Sequence, residues 1–344
     1  MKSIVVTGLI LAALGLIGGR ALAQSPSAGE VNVYSARHYD SDLMIYDEFT
    51  KETGIKVNLI EAGGDALIER LTREAEASPA DVFITADAGM LWRAEMRGVF
   101  QPITNEEILA RVPAQFRDPE SQWVGLSKRA RIIIYNKRNG LPDGISSYED
   151  LAQPAYRGMI CARSSSNVYN QSLLASLIQN DGAEKAAEWV NGVVANFARP
   201  PQGNDTSQIE AVAAGKCRLS IVNSYYLARY IGSSDARSKK IGERVGFIFP
   251  NQAGRGTHVN ISGAGITKYA SHKDNAERLI AFLLTDGVQR SFAAGNNEYP
   301  VVSSVMPTGP VAEFGDFQAD SLNMGYLGEN QPAAVRLFDE GGWK

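Results

Sequence analysis

Cysteine, histidine and long apolar runs are scarce in this sequence of 344 residues, and each scarcity excludes a class of function. It contains two cysteines and three histidines. The motifs Gly-x-Ser-x-Gly, His-Glu-x-x-His and Cys-x-x-Cys are absent, which removes the usual hydrolase, metalloprotease and dithiol redox sites. Beyond the first residues, no segment is apolar enough to span a membrane.

The first residues have the pattern of an export signal. Lys2 supplies a positive charge, Ile4 to Ile17 form a short apolar run, and Ala21-Leu22-Ala23 fits a small-residue cleavage site. We therefore expect removal of residues 1–23 and export of a mature chain that begins at Gln24. A membrane anchor is the alternative, but the apolar run is shorter than a bilayer-spanning helix requires.

Positive charge is in deficit once the signal is removed. The count of lysine and arginine falls from 34 to 32 against 38 acidic residues, a formal charge of −6 that argues against a nucleic-acid partner. About 320 residues is more than one core usually fills, so we expect two lobes. Cys161 and Cys217 would lie in an oxidising compartment, which favours a disulfide over two buried thiols.

Short apolar runs alternate with helical patterns along the mature chain. Eight runs are predicted to be strands, at 31–34, 56–60, 81–85, 131–135, 159–162, 219–222, 245–249 and 261–266. Helical periodicity separates several of them, which is typical of parallel βαβ units and predicts an α/β fold. We expect strands near 128–131 and 254–265 to cross between the lobes. Asp205 and Gln208 resemble a capping box that opens a further helix.

Tyrosines at three strand-to-helix junctions are the most unusual feature of the chain. His38 and Tyr39 follow the first strand, Tyr169 follows a later one, and Tyr225 and Tyr226 follow the strand that ends at position 223. Such junctions bind ligands in open α/β sheets, and a helix N-terminus favours an ionised phenol. Hard cations prefer oxygen ligands, and phenolate is a known iron ligand. We interpret the tyrosines as a candidate Fe(III) site, with ordinary aromatic packing as the alternative.

Four segments resemble the periplasmic ferric-iron-binding proteins of ABC importers, and especially their tyrosine-rich branch. They are residues 34–39, 80–89, 165–170 and 222–226. The resemblance runs over essentially the whole mature chain. It implies a bilobal periplasmic-binding-protein fold of type II, closure around one Fe(III), and delivery to an inner-membrane ABC permease. We expect a periplasmic monomer with lobes of 24–130 plus 256–302 and of 131–255 plus 303–344.

The same resemblance implies a ligand set. Carried over residue by residue, Tyr39, Tyr169, Tyr225 and Tyr226 match the phenolate ligands of that branch, and His38 matches a histidine that ligates in some members. Another branch completes the sphere with a glutamate and a bound anion. No counterpart of that glutamate occurs near 61–69, so both a water and a synergistic anion remain open for this protein.

Three arginines are expected beside the ligands. Four phenolates around Fe(III) leave a net charge of −1, and a buried uncompensated charge is costly. Arg229 shares a helical face with Tyr225 and Tyr226, Arg37 adjoins His38, and Arg129 lies on an expected crossing strand. Surface or interlobe salt bridges are the alternative role for each arginine.

Two other functions stay open on the sequence alone. The first is capture of an organic or oxyanion solute in the same cleft. That function would not require four phenols to converge. The second is a secreted enzyme on the same scaffold, which lacks a nucleophile and base pair. We expect a binding protein rather than an enzyme.

Overall fold

The computed structural model describes residues 29–344, so the expected export signal at 1–23 lies outside the described residues. Strands of the described part are β1 (Glu30–Ser35), β2 (Lys56–Glu61), β3 (Val82–Thr85), β4 (Phe100–Gln101), β5 (Val124–Asn136), β6 (Ile160–Cys161), β7 (Leu219–Asn223), β8 (Val245–Ile248), β9 (Val259–Thr267) and β10 (Tyr299–Pro300).

Helices of the described part lie between and after these strands. They are α1 (Asp40–Thr53), α2 (Gly64–Glu74), α3 (Ala88–Met96), α4 (Glu106–Arg111), α5 (Val168–Asp181), α6 (Ala183–Ala195), α7 (Asp205–Ala213), α8 (Ser224–Ile231), α9 (Ala236–Glu243), α10 (Lys273–Leu283), α11 (Asp286–Asn296), α12 (Gly325–Glu329) and α13 (Gln331–Glu340). Within residues 29–344, none of the helices combines the length and apolar character that a membrane crossing needs.

The strands join in one mixed sheet whose order is β2-β1-β3-β9-β5-β7-β6. β1 lies parallel to β2 and β3, and β6 lies parallel to β7. β9 is antiparallel to β3 and β5, and β7 and β8 are antiparallel to β5. The α/β class is confirmed. The expected parallel βαβ units occur at β1–β2 and β6–β7, whereas the long strands β5 and β9 run antiparallel to their neighbours.

β5 is the element that both parts of the sheet share. Its residues 124–130 pair with β9, and its residues 131–136 pair with β7 and β8. The change of partners falls within the segment 128–131 that the sequence predicts as a crossing. The chain between β8 and β9 makes the second passage, since those two strands pair with opposite ends of β5.

All eight predicted strands are present, with bounds that differ by a few residues. β5 is the largest difference, because its first half begins seven residues before the predicted run. β4 and β10 lie outside the predicted strands. Gln101 and Pro102 end the apolar run of β4, and Pro300 lies within β10, where a proline argues against a strand.

Cys161 and Cys217 form a disulfide, as the sequence predicts, with their Cα atoms 5.8 Å apart. Cys161 ends β6 and Cys217 lies two residues before β7, so the bond joins two parallel neighbouring strands. Both strands lead to tyrosine-bearing helices. The bond therefore holds together the two strands that precede Tyr169 and the Tyr225-Tyr226 pair.

Replacing both cysteines by serine should lower the free energy of unfolding by about 4 kcal/mol, because the bond closes a loop across a sequence separation of 56. Urea unfolding of Cys161→Ser/Cys217→Ser and of the oxidised wild type measures the difference. Thiol titration of denatured, unreduced protein is the control. Two reactive thiols in that sample would contradict the bond.

Candidate metal centre

Each of the candidate tyrosines lies where a strand gives way to a helix. Tyr39 is the residue directly before α1, Tyr169 is the second residue of α5, and Tyr225 and Tyr226 are the second and third residues of α8. The Asn167 side chain caps α5 by accepting a hydrogen bond from the Tyr169 amide. Because β6 and β7 are parallel neighbours, the helices that follow them start at the same edge of the sheet.

The three junctions bring the phenols together. The Tyr225 hydroxyl donates to the Tyr169 hydroxyl at 3.3 Å. The rings of Tyr225 and Tyr226 lie 4.3 Å apart, centroid to centroid, and are inclined by 31°. Adjacent residues diverge less on the first helical turn than on a strand, so both rings of the pair can line one cleft. Within residues 29–344, no group of three or more His, Cys, Asp or Glu side chains is arranged to hold a metal ion.

Arg229 lies between Tyr39, directly before α1, and the tyrosine pair of α8. Its guanidinium carbon lies 5.8 Å from the ring centroid of Tyr39 and 5.2 and 5.6 Å from those of Tyr225 and Tyr226. This placement follows from the spacing in α8, where residues three and four apart share a face. Arg229 thus places one positive charge among three of the four candidate phenols.

Removal from water raises the pKa of three phenols above the ordinary tyrosine value. For Tyr39 the Glu298 carboxylate raises the pKa further, whereas the guanidiniums of Arg129 and Arg37 lower it. Burial is also the main cause of the raised pKa of Tyr169 and of Tyr225. These three phenols are therefore neutral at pH 7 when no metal is present, and a metal must displace their protons.

Arg37 and Arg129 lie beside the site and share one buried carboxylate. Arg37 Nη1 donates to Glu298 Oε2 at 3.0 Å, and Arg129 Nη2 donates to Glu298 Oε1 at 2.6 Å. Arg37 Nε also donates to Asp42 Oδ2 at 2.8 Å, and its guanidinium carbon lies 4.9 Å from the ring centroid of Tyr39. The two arginines hold the pKa of Glu298 at about 2 although burial alone would raise it.

His38 contacts Glu61 rather than the tyrosines. Its side chain is 56% exposed, and its Nδ1 atom lies 3.6 Å from Oε1 of Glu61, at the end of β2. Tyr39 and Arg37 instead contact each other on the inner side of the same turn. Of the two adjacent candidates, the structure brings Tyr39 to the phenol cluster and places the His38 imidazole beside Glu61.

Two buried acids organise the site. Glu298 was not singled out by the sequence analysis, and Asp205 was predicted only as a helix cap. Asp205 accepts from Arg131 Nη1 at 2.6 Å, from Arg163 Nη1 at 2.9 Å and from the Asn223 amide at 2.8 Å. Asn223 precedes the tyrosine pair directly, so Asp205 holds the end of β7 from which α8 begins.

The capping box predicted at Asp205 is therefore wrong. The residue before α7 is Asn204, whose side chain accepts from the Ser207 amide at 3.0 Å. The Asp205 carboxylate points into the interior instead, where one oxygen accepts from Arg131 and the other from Arg163. A motif of three or four residues cannot reveal a partner such as Arg131, 74 positions away. The available sequence signal was the pair Arg129 and Arg131 on a mostly apolar strand, because arginines that become buried need charged partners.

A mixed sheet shared by two lobes, with polar side chains converging at strand ends, is typical of bilobal solute-binding proteins. Residues 77–312 match the model of the bacterial extracellular solute-binding proteins, and the chain belongs to that family. It is 46% identical over 343 residues to iron uptake protein A1 of Synechocystis sp., a match that covers 99% of this chain and 95% of that protein.

Solved structures share the fold over nearly the whole described chain. The Trichodesmium protein FutA, in complex with iron and citrate, is 52% identical with a TM-score of 0.89, covering 92% of this chain and 100% of that one. The ferric binding protein from Campylobacter jejuni is 39% identical with a TM-score of 0.85, covering 91% and 100% respectively. The bilobal α/β fold expected from the sequence is confirmed.

Glu298→Gln should lower the free energy of unfolding by about 3–5 kcal/mol at neutral pH, because it leaves Arg37 and Arg129 buried with one negative charge fewer. The pKa of Glu298 is depressed to about 2 from an ordinary value of 4.5. Its stabilising contribution is therefore complete above that ordinary value and is lost as the pH falls toward about 2. Urea unfolding across an acid pH series measures both effects.

The exposed substitution Glu313→Gln is the matched control for Glu298→Gln, since it removes one carboxylate from the surface. The difference in stability between wild type and Glu298→Gln should shrink as the pH falls through this window. A difference that stays constant at every pH would show that the carboxylate charge is not what holds the two arginines.

Proposed function

We propose that this protein captures one Fe(III) ion per chain in the interlobe cleft, with Tyr39, Tyr169, Tyr225 and Tyr226 as phenolate ligands. The observation that carries the proposal is the convergence of phenols from three separate strand-to-helix junctions, with two hydroxyls 3.3 Å apart. Oxygen donors suit a hard trivalent cation. Relatives named for iron uptake and ferric binding support the same cargo.

Charge balance supports four phenolates and one nearby arginine. Fe(III) with four phenolates carries −1, and Arg229 contributes +1 next to three of the rings. Arg37 and Arg129 are neutralised by Asp42 and Glu298, so they orient the site more than they add net charge. Within residues 29–344, Arg229 has no carboxylate within 4.0 Å.

The lobes proposed for this capture are 24–130 plus 256–302 and 131–255 plus 303–344. Pairing of β10 with the first half of β5, at Lys128 and Ser127, supports the end of the first lobe near 302. This division gives Tyr39 to the first lobe and the other three phenols to the second. His38 stays beside Glu61 in this proposal, and a water or a small anion completes the sphere.

The partner proposed for delivery is an inner-membrane ABC permease, and the compartment is the periplasm. The family is that of extracellular solute-binding proteins, and one relative is named a probable ABC transporter periplasmic-binding protein. We propose that the protein acts as a monomer and has no catalytic activity. An organic or oxyanion solute remains the alternative cargo that the following experiment would reveal.

The double substitution Tyr225→Phe/Tyr226→Phe should lower Fe(III) affinity more than about a hundredfold, since losing even an outer partner of a metal ligand costs ~10–100-fold. It should also abolish the visible charge-transfer absorption that ferric phenolates give. Iron stoichiometry and the absorption spectrum measure both effects.

Tyr230→Phe is the matched control, because Tyr230 lies on the same helix and donates its hydroxyl to Glu210 at 3.0 Å. It should keep both colour and iron. If the double variant at 225 and 226 also keeps both, the phenols are not the ligands and the alternative solute moves ahead.

Iron affinity should fall as the pH falls. The pKa values of Tyr39, Tyr169 and Tyr225 are raised, so these phenols are protonated in the empty site and each one that binds iron releases a proton. Each released proton lowers the apparent affinity by up to about tenfold per pH unit. Citrate competition between about pH 5 and pH 8, corrected for protonation of citrate, measures the slope. A flat corrected affinity would contradict phenolate ligation.

A further inference from the structure

A groove lined by positive side chains lies on the second lobe, away from the phenols. Two adjoining cavities of about 760 and 890 Å³ share the residues Ala213, Ala214 and Arg244 at the end of α7 and after α9. We call this surface the basic groove. Its cationic residues are Arg199, Lys216, Arg237, Lys240, Arg244, Lys137 and Arg138.

In the part of the chain that the structure describes, no carboxylate lies within 4.0 Å of a cation of the basic groove, although Arg237 acts on the Asp235 carboxylate from a greater distance. None of the seven forms a salt bridge, whereas buried and half-buried arginines elsewhere, such as Arg255 with Asp181, do. The two acids that line the groove are Glu210 and Glu243, and Glu210 Oε1 accepts from the Tyr230 hydroxyl at 3.0 Å. Seven cations against two acids leave a local charge of about +5.

Such a concentration of one sign is unexpected on an acidic protein. The whole chain has 38 acidic against 34 basic residues, so carboxylates that could pair with these cations are plentiful elsewhere. Like charges that line a concave surface repel one another and focus a positive potential in the groove. An anion from outside the chain would relieve that repulsion, which favours anion binding in the groove.

The chemistry of the lining selects among anions. Guanidinium and ammonium groups together suit phosphate oxygens. Exposed large apolar side chains, which a surface helix needs to anchor in a membrane, are absent from 199–244 in the described chain. The groove lining has no Phe, Tyr or Trp on which nucleic-acid bases could stack. Two joined cavities of this size accommodate several linked phosphates better than one.

We propose that the basic groove binds a soluble anion made of several linked phosphates. The site is separate from the phenol cluster, although α8 connects the two. Tyr225 and Tyr226 lie on the first turn of α8, and Tyr230 contacts the groove residue Glu210 near its end. Binding in the groove therefore does not require the metal ligands.

The test uses tripolyphosphate and the iron-free mature protein, because tripolyphosphate would remove bound iron. Isothermal titration calorimetry should show saturable binding that weakens as salt rises, and orthophosphate should bind more weakly. Arg237→Gln/Lys240→Gln should raise the dissociation constant at least tenfold while leaving Fe(III) binding and the melting temperature unchanged. If Arg237→Gln/Lys240→Gln still binds Fe(III) normally, the loss of tripolyphosphate binding is independent of the proposed iron site.

The matched control is Lys239→Gln/Lys185→Gln, which removes the same charge from exposed positions outside the groove lining. It should change the dissociation constant less than twofold. Loss of affinity equal to that of the groove variant would overturn the proposal, since only the overall charge would then matter. Absence of tripolyphosphate binding to the wild type would also overturn it.

A second arm distinguishes a free polyphosphate from a lipid headgroup. Sedimentation with vesicles of phosphatidylglycerol should show no binding that depends on Arg237 and Lys240. If those two residues are required for vesicle binding but not for tripolyphosphate binding, the groove recognises a membrane surface and the proposal is wrong.

Discussion

Two buried arginines of β5, each neutralised by a buried acid, are the constraint on which the rest of the site depends. Arg129 and Arg131 are two positions apart and so lie on one face of the strand. Arg129 pairs with Glu298, on the side where β5 meets β9, and Arg131 pairs with Asp205, on the side where it meets β7. One strand therefore supplies the arginine of each buried ion pair, one on either side of the cleft.

Each of these pairs reaches the phenols through a further contact. Glu298 holds Arg37, whose guanidinium lies under the ring of Tyr39. Asp205 holds Arg163, whose guanidinium carbon lies 5.6 Å from the ring centroid of Tyr169. Buried ion pairs contribute little net stability compared with apolar packing, but they fix geometry, because each charge tolerates only a narrow set of partners. Tyr39 and Tyr169 thus pack against arginines whose positions are set by buried carboxylates.

The sequence predicts those parts of the site that depend on local order, such as a strand followed by a helix or the spacing of residues along one helix. A strand followed by a helix places Tyr39, Tyr169 and Tyr225 at helix starts, and helical spacing places Arg229 beside the pair. Sequence analysis failed for Glu298, which pairs with Arg129 across 169 positions, because no local pattern records so distant a partner. The antiparallel pairing of β9 with β3 and β5 was missed for the same reason. It depends on the direction in which the chain crosses back between the lobes, which no local pattern shows.

The proposed lobe assignment gives the site an order of assembly. Three phenols belong to one lobe, and the disulfide and the parallel pairing of β6 and β7 fix the strands beneath them. Tyr39 comes from the other lobe, so it can complete the sphere only when the lobes close. In the proposed site, four phenolates around Fe(III) carry a net charge of −1, and Arg229 contacts rings assigned to both lobes. Metal binding there would strengthen the attraction between Arg229 and the phenolates on either side of the cleft, which would couple loading to closure.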